Sequence, residues 1–385
     1  MPALKKLPAA WALGALVSMP VCVSSQDAGS VLFVRGADRS GGFLENPTDT
    51  SRTEQLGDIR NTSTSGGNHG WFELAMFLET NGFLVEQVVE PLEAGQLPTA
   101  NGGTGATTGA ALDFTSFFSV TDRLDNDPGV ARTLADYDVV VFGSNNADYS
   151  NQSASASVDA VEAYVRGGNA ALFISDANFG SDWADASLSD QPFLDRFAVT
   201  VNQDNGTYTL SSAEDLGSPA DYSQSGNTAI GDAVLGGVNA IEGEGVTPFT
   251  LGSPQALAAA DVELVLTIDA EETVIPNSGF GGSNRRGSPG RAAGSGGNDD
   301  VAVFIGLAGA GAVAGHFDRN TFFNENGAGS FLFKEDTERD GVEVDLDNDE
   351  YALNLFTTLA AVPEPSGLLL LGVSAAAVLP RRRRG

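Results

Sequence analysis

From Ser30 onward the sequence predicts an α/β domain built on a parallel sheet with helices on both faces. Two observations predict it. Short apolar runs alternate along the chain with segments whose apolar residues recur at helical spacing. Those runs are continuous, as in Val31-Leu32-Phe33-Val34, instead of alternating apolar with polar. A strand covered on both faces needs apolar side chains pointing both ways, the usual state of parallel strands flanked by helices.

Val31 to Val34 is the first strand and ends at Arg35-Gly36. Trp71, Leu74, Ala75 and Leu78 fall at i, i+3, i+4 and i+7, one face of a helix that Asn81-Gly82 closes. Phe83 to Val89 forms the next strand and Asp138 to Phe142 another. Val158, Val161 and Val165 mark a second helix, stopped by Gly167-Gly168, and Ala170 to Ile174 follows as a strand. Further on, Val262 to Ile268, Val301 to Leu307 and Ala312 to Gly315 read as strands. Asp347 with Glu350 three residues later has the pattern of a capping box. It opens a last helix with Ala352, Leu355, Phe356 and Leu359 on one face. Glu93 to Ala111 and the Gly/Ser-rich Asn277 to Asp300, which holds Arg285, Arg286 and Arg291, read as insertions. With no internal repeat, a single domain is expected, its strands near Val31, Leu84, Val139, Ala171 and Val301 lying in one parallel sheet.

Composition narrows the function. The 385 residues suffice for a sizeable core, and an apolar content of 42% is ordinary for a globular chain. Acidic residues number 51 against 20 basic ones, for a net charge of −31. Nucleic acid is excluded as a partner, because a phosphate backbone needs clustered Lys and Arg. Cys22 is the one cysteine, and His69 and His316 are the two histidines. Disulfide frameworks, thiolate zinc sites and three-histidine metal centres are excluded by count, and no cofactor is expected. Asp345, Asp347 and Asp349 are spaced like calcium ligands, but Glu350 stands where an EF-hand turn needs glycine. Helix capping accounts for Asp347 without a metal, so calcium is the lesser reading.

Both ends read as addresses. Lys5 and Lys6 precede the apolar Leu7 to Val17, then Pro20 and the small-residue run Val23-Ser24-Ser25. This is the layout of a secretory signal peptide cut after Ser25. The apolar run is much shorter than the ~20 residues a membrane span needs. Cleavage would remove Cys22 and leave the mature chain without a thiol. At the other end Val362-Pro363-Glu364-Pro365-Ser366 leads into Gly367 to Leu379, apolar apart from Ser374, and then Arg381, Arg382, Arg383 and Arg384. Pro363 and Pro365 keep the tripeptide extended for a protease. The apolar stretch can enter a bilayer, with the arginines on the cytoplasmic side.

This three-part tail resembles the PEP-CTERM sorting signal that exosortases read in Gram-negative bacteria; an ordinary tail anchor leaves the Pro-Glu-Pro unexplained. The resemblance implies export through the Sec translocon, a transient inner-membrane anchor, exosortase cleavage near Pro363-Glu364-Pro365, and delivery to the cell surface or extracellular matrix. The chain then divides into a signal peptide (1–25), a body (26–361) and a sorting tail (362–385). The body keeps 14 basic and 50 acidic residues, a net charge near −36. Such a surface repels its own copies and stays soluble.

Short motifs in the body point to a family. Asn61-Thr62-Ser63 with His69-Gly70-Trp71-Phe72-Glu73, the Asp136-Tyr137-Asp138-Val139-Val140-Val141 run into a strand, and Tyr164-Val165-Arg166-Gly167-Gly168 are similar to the class I glutamine amidotransferase-like superfamily. The likeness is to its non-amidotransferase branches, such as the trehalose-utilisation (ThuA-like) proteins. Leu235-Gly236-Gly237-Val238 and the segment from Gly315 to Asn324 fit the later part of that pattern. The resemblance spans residues 30–361 and implies a flavodoxin-like sheet. In true amidotransferases a cysteine sits on the sharp turn after a central strand and a His-x-Glu pair serves it. Here that turn reads Ile174-Ser175-Asp176-Ala177-Asn178, with Asp176 at the elbow, so thioester chemistry and glutaminase activity are excluded.

His316-Phe317-Asp318 echoes the His-x-acid pair. Open α/β sheets build their sites at the carboxyl ends of the strands, which gathers Arg35, Asp38, Ser144, Asn145, Asp176, Asn178 and His316 as candidates. His69, among glycines, is a further ligand-binding candidate or a helix-start residue. Two functions compete. In the first, a catalytically degenerate domain binds a ligand such as an extracellular polysaccharide without turnover. In the second, a secreted Cys-free hydrolase acts on a carbohydrate-related substrate around Asp176 and His316. There His316, titrating near neutrality, is the general base and Asp318 orients it. Positions i and i+2 on a strand stand roughly 6–7 Å apart, so that pair needs a turn to touch. Alternatively, His316, Asp318 and Asn320 satisfy backbone groups and turns.

Overall fold

The computed structural model of the protein describes residues 28–36, 57–61, 70–91, 110–124, 129–145, 147–175, 186–202, 208–210, 228–238, 241, 248–269, 274–276, 300–324, 332–333, 337–339, 342–344 and 347–362. Asp38, His69, Asp176 and Asn178, the signal peptide, the Pro-Glu-Pro tail, Asp345 and most of the two insertions lie outside them.

One large sheet organises the chain. Its strands are β1 (Gly29–Arg35), β2 (Phe83–Val89), β3 (Phe118–Thr121), β4 (Val130–Arg132), β5 (Val139–Ser144), β6 (Ala170–Ile174), β7 (Val199–Val201), β9 (Phe249–Leu251), β10 (Val262–Asp269), β12 (Asp300–Ala308) and β13 (Gly311–His316). Two small ribbons stand apart: β8 (Tyr208–Leu210) with β11 (Val274–Pro276), and β14 (Thr337–Arg339) with β15 (Val342–Val344). At the centre β2, β1, β5, β6 and β13 are parallel neighbours in that spatial order. Counted along the chain, this is the order 2-1-3-4-5, which defines a flavodoxin-like sheet.

The helices are α1 (Phe72–Thr80), α2 (Ser155–Arg166), α3 (Ala186–Ser189), α4 (Gln191–Leu194), α5 (Thr228–Leu235), α6 (Pro254–Ala259) and α7 (Asn348–Ala360). Alternate residues of each central strand feed two separate cores. Val31 and Phe33 of β1 pack with Leu74 and Leu78 of α1, Val234 of α5 and Leu355 and Phe356 of α7. Leu32 and Val34 pack on the opposite face with Val161 and Val165 of α2, Phe193 of α4 and Leu257 of α6. Two-sided burial explains why β1, β5, β6 and β13 read as unbroken apolar runs. The predicted helix faces are the buried ones: Leu74, Ala75 and Leu78 in α1; Val158, Val161 and Val165 in α2; Ala352, Leu355, Phe356 and Leu359 in α7.

The structure corrects two expectations. The strand near Val301 lies in the sheet, as expected, but β12 runs antiparallel to both β13 and β10. A turn through Gly309 and Ala310 joins β12 to β13, and so short a link permits only an antiparallel hairpin. The fifth parallel strand is therefore β13. Asp347 does precede α7, but its side chain makes no capping hydrogen bond. Glu350 lies instead against Gly237, where an added Cβ would stand 2.6 Å from its Oε1.

The β3–β4 hairpin extends the β2 edge through antiparallel pairing. Glu86 of β2 anchors it, accepting from Arg132 Nε and Nη2 at 2.9 and 2.8 Å and from the Tyr137 hydroxyl. Among the described residues no helix is long and apolar enough to cross a membrane.

Candidate functional site at the carboxyl ends of the parallel strands

In the order 2-1-3-4-5 the chain reverses its winding between β1 and β5, and the crevice beyond their carboxyl ends is where such sheets bind ligands. Three of the predicted residues meet there. Arg35 and Ser144 are register partners, and the Gly36 N–H donates to the Ser144 carbonyl at 2.8 Å. Asn145 is the next residue, and all three are buried.

Asp58 completes the β1 side, carried by a loop that precedes α1. Its Oδ2 lies 3.6 Å from Arg35 Nη1, and both side chains are only 2% exposed. Its Oδ1 accepts from the Arg60 N–H at 2.9 Å and from Gln87 Nε2 at 3.0 Å, while Gln87 Oε1 accepts from the Ile59 N–H at 3.1 Å. Gln87 thus ties this loop to β2. The loop comes so close to β5 that Gly57, at a φ of +59°, has room for no side chain: a Cβ there would be 2.7 Å from Ser144 Oγ. Gly143 is needed for the same reason, since its Cβ would meet Trp71 Cη2 at 2.4 Å.

On the β6 side Asn145 Nδ2 donates to Asp190 Oδ1 at 2.8 Å, joining β5 to the turn between α3 and α4. Burial pushes the Asp190 carboxyl up to about 7; the Asn145 hydrogen bond and the Arg319 charge pull it back only in part. Arg319 is itself buried, in the turn that follows β13. Farther along, Tyr149 donates its hydroxyl to Glu90 Oε1 at 2.8 Å, and burial pushes that phenol well up.

His316 ends β13, two strands from β5, hence about 10 Å away at the usual strand spacing. It is fully buried, and its ring packs against Phe317, Phe322 and Tyr351. Nδ1 pairs with the Tyr351 hydroxyl at 3.0 Å. Burial drives its pKa down to about 3, opposed by the Asp318 backbone. Two expectations are corrected here. The imidazole does not titrate near neutrality, because the aromatic cage disfavours its charged form. The group on Nδ1 is a hydroxyl from α7, where the Asp318 carboxylate was expected. Ser175, before the elbow, is buried; its N–H donates to the His316 carbonyl at 2.9 Å and its hydroxyl to the same oxygen at 3.3 Å.

Sequence reasoning missed Asp58, Gln87, Asp190, Arg319 and Tyr351. Arg319 was within reach, because it sits in the Gly315–Asn324 motif. Asp190, just before Gln191-Pro192, carries only the signal of a helix start. Among the described residues no cluster of His, Cys, Asp and Glu could hold a metal ion.

No protein-family model and no curated protein matches the chain. Among solved structures the chain is similar to a ThuA-like protein from Parabacteroides merdae, at 12% identity over 88% of this chain and 91% of that one, with a TM-score of 0.37. The flavodoxin-like class follows from the strand order itself.

Proposed function

We propose that this is an exported protein, trimmed at both ends, whose flavodoxin-like domain binds a glycan at the β1/β5 switch point without covalent turnover. The observation that carries this reading is the orientation of His316. The one described imidazole faces Tyr351 and aromatic rings, and among the described residues no hydrogen bond links it to a nucleophile. The crevice supplies instead a set of buried hydrogen-bonding groups, Arg35, Asp58, Ser144, Asn145 and Asp190. Groups of that kind fix the orientation of a polar ligand. Purified protein lacking its signal peptide is tested against a panel of soluble glycans by calorimetry, with product analysis of the same mixtures. Saturable binding without new products is expected, as is no hydrolysis of glutamine. Turnover of glycan or amide would sink the reading.

Export rests on the ends of the chain: Lys5 to Ser25 at the start, and Pro363-Glu364-Pro365, the apolar segment and the four arginines at the finish. In this reading the Sec translocon and an exosortase are transient partners, and the product resides at the surface or in the extracellular matrix of a Gram-negative cell. Intact mass spectrometry of the native protein is expected to show a start near Gln26 and a cut near Pro363-Glu364-Pro365. Recovery of a surface form that still carries Arg381 to Arg384 would refute the sorting step.

A further inference from the structure

Asp190 is buried in the turn between α3 and α4 and meets Asn145 at the end of β5. Asn145 meets the Asp190 carboxyl through Nδ2 and turns its own Oδ1 away. That Oδ1 is buried and has no hydrogen-bond partner among the described residues, and the same holds for the adjacent Ser144 Oγ. Native proteins rarely leave such atoms unsatisfied; a gap of this kind is where a water or a ligand group belongs. Two buried polar functions thus lie together beyond the end of β5, the Asp190 carboxyl and the Asn145 amide oxygen, while the Ser144 hydroxyl lies against Gly57 on the β1 side.

Their chemistry selects the guest. A cation is disfavoured because the Arg319 charge already acts on Asp190, and an anion because the carboxylate and the amide oxygen both repel it. A pair of neighbouring neutral hydroxyls suits both, one donating to Asp190 and the other to Asn145 Oδ1. We propose that Asp190 is the acceptor that grips a hydroxyl-rich ligand at the carboxyl end of β5, with the Asn145 hydrogen bond holding its carboxyl in place. This rests on the crevice being a binding site and adds the residue that sets its specificity.

The charged and titratable groups around Asp190 are Arg319, from the turn after β13, and the Tyr149 phenol, behind which stands Glu90. Burial holds the Asp190 carboxyl at about 7, so lowering the pH through neutrality removes its charge and weakens the grip.

The methyl glycosides of glucose, mannose and galactose, and the polysaccharide dextran, are titrated into the exported protein with 13C-labelled aspartate carboxyls. At least one probe is expected to bind and to shift the Asp190 carboxyl signal. Asp190→Asn, close to isosteric, is expected to weaken that binding about tenfold or more, the usual loss for a hydrogen bond to a charged group. Wild-type affinity is expected to fall as the pH is lowered from about 8 to about 6. A probe that binds Asp190→Asn as tightly as wild type and leaves the Asp190 signal unmoved overturns this proposal and spares the crevice. If none of the four probes binds, the glycan reading fails and the Asp190 proposal falls with it.

Discussion

Asp58→Ala is expected to lower the unfolding free energy by about 3–5 kcal/mol, the usual effect of removing one member of a buried ion pair. The Arg35 guanidinium and the Asp58 carboxylate are each only 2% exposed, so water cannot replace the lost partner. The substitution also deprives Gln87 Nε2 and the Arg60 N–H of an acceptor. Most of the damage comes from the charge left behind. The double variant Arg35→Met, Asp58→Leu is therefore expected to be less damaged than the single one, because well-packed apolar groups can replace a buried pair with little loss. Urea denaturation of the three proteins measures both effects. A loss below about 1 kcal/mol for Asp58→Ala would mean that the pair is solvated.

The parallel core was legible because burial on both faces writes itself into the chain. Val31 to Val34, Val139 to Phe142 and Ala170 to Ile174 have no polar residue to hide, and each is a central strand. The same logic misled at Val301. The residues of β12 divide between the two cores as those of its parallel neighbours do, so its apolar run says nothing of its direction. The Gly309-Ala310 turn does, and that signal was present in the sequence. Strands β3, β4, β7 and β9 have three or four residues each, too few for any periodicity to emerge. The site divides in the same way. Arg35, Ser144 and Asn145 follow from the rule that ligands gather at strand carboxyl ends. Asp58 and Asp190 reach the site from loops far away in sequence, and Tyr351 reaches His316 from the last helix. Only tertiary packing brings these residues in.

Asp190 and His316 are expected to impose opposite pH dependences on stability, each exposed by removing the other. The folded state holds the Asp190 proton up to about pH 7, against 3.8 for an ordinary Asp. Between those values it binds more protons than the unfolded chain, so its contribution is fully present below 3.8 and is lost as the pH rises towards 7. His316 behaves in reverse. Its folded pKa is about 3 against 6.5, so its contribution is present above 6.5 and is lost as the pH falls towards 3. From about pH 4 to 6.5 the two slopes oppose each other and largely cancel in the wild type. Asp190→Asn removes the first slope, and its stability is expected to rise with pH across that window. His316→Asn keeps a polar partner for the Tyr351 hydroxyl but removes the second slope, and its stability is expected to fall as the pH rises. Each change amounts to a few kcal/mol, on the order set by the linkage relation for fully buried groups. Urea titrations at intervals of pH read the slopes directly, so any overall loss of stability in either variant does not obscure the result. Parallel curves for the two variants would show that neither group is sealed as its surroundings require. A rising curve for Asp190→Asn alone would confirm the buried imidazole and leave Asp190 as an ordinary, solvated acid.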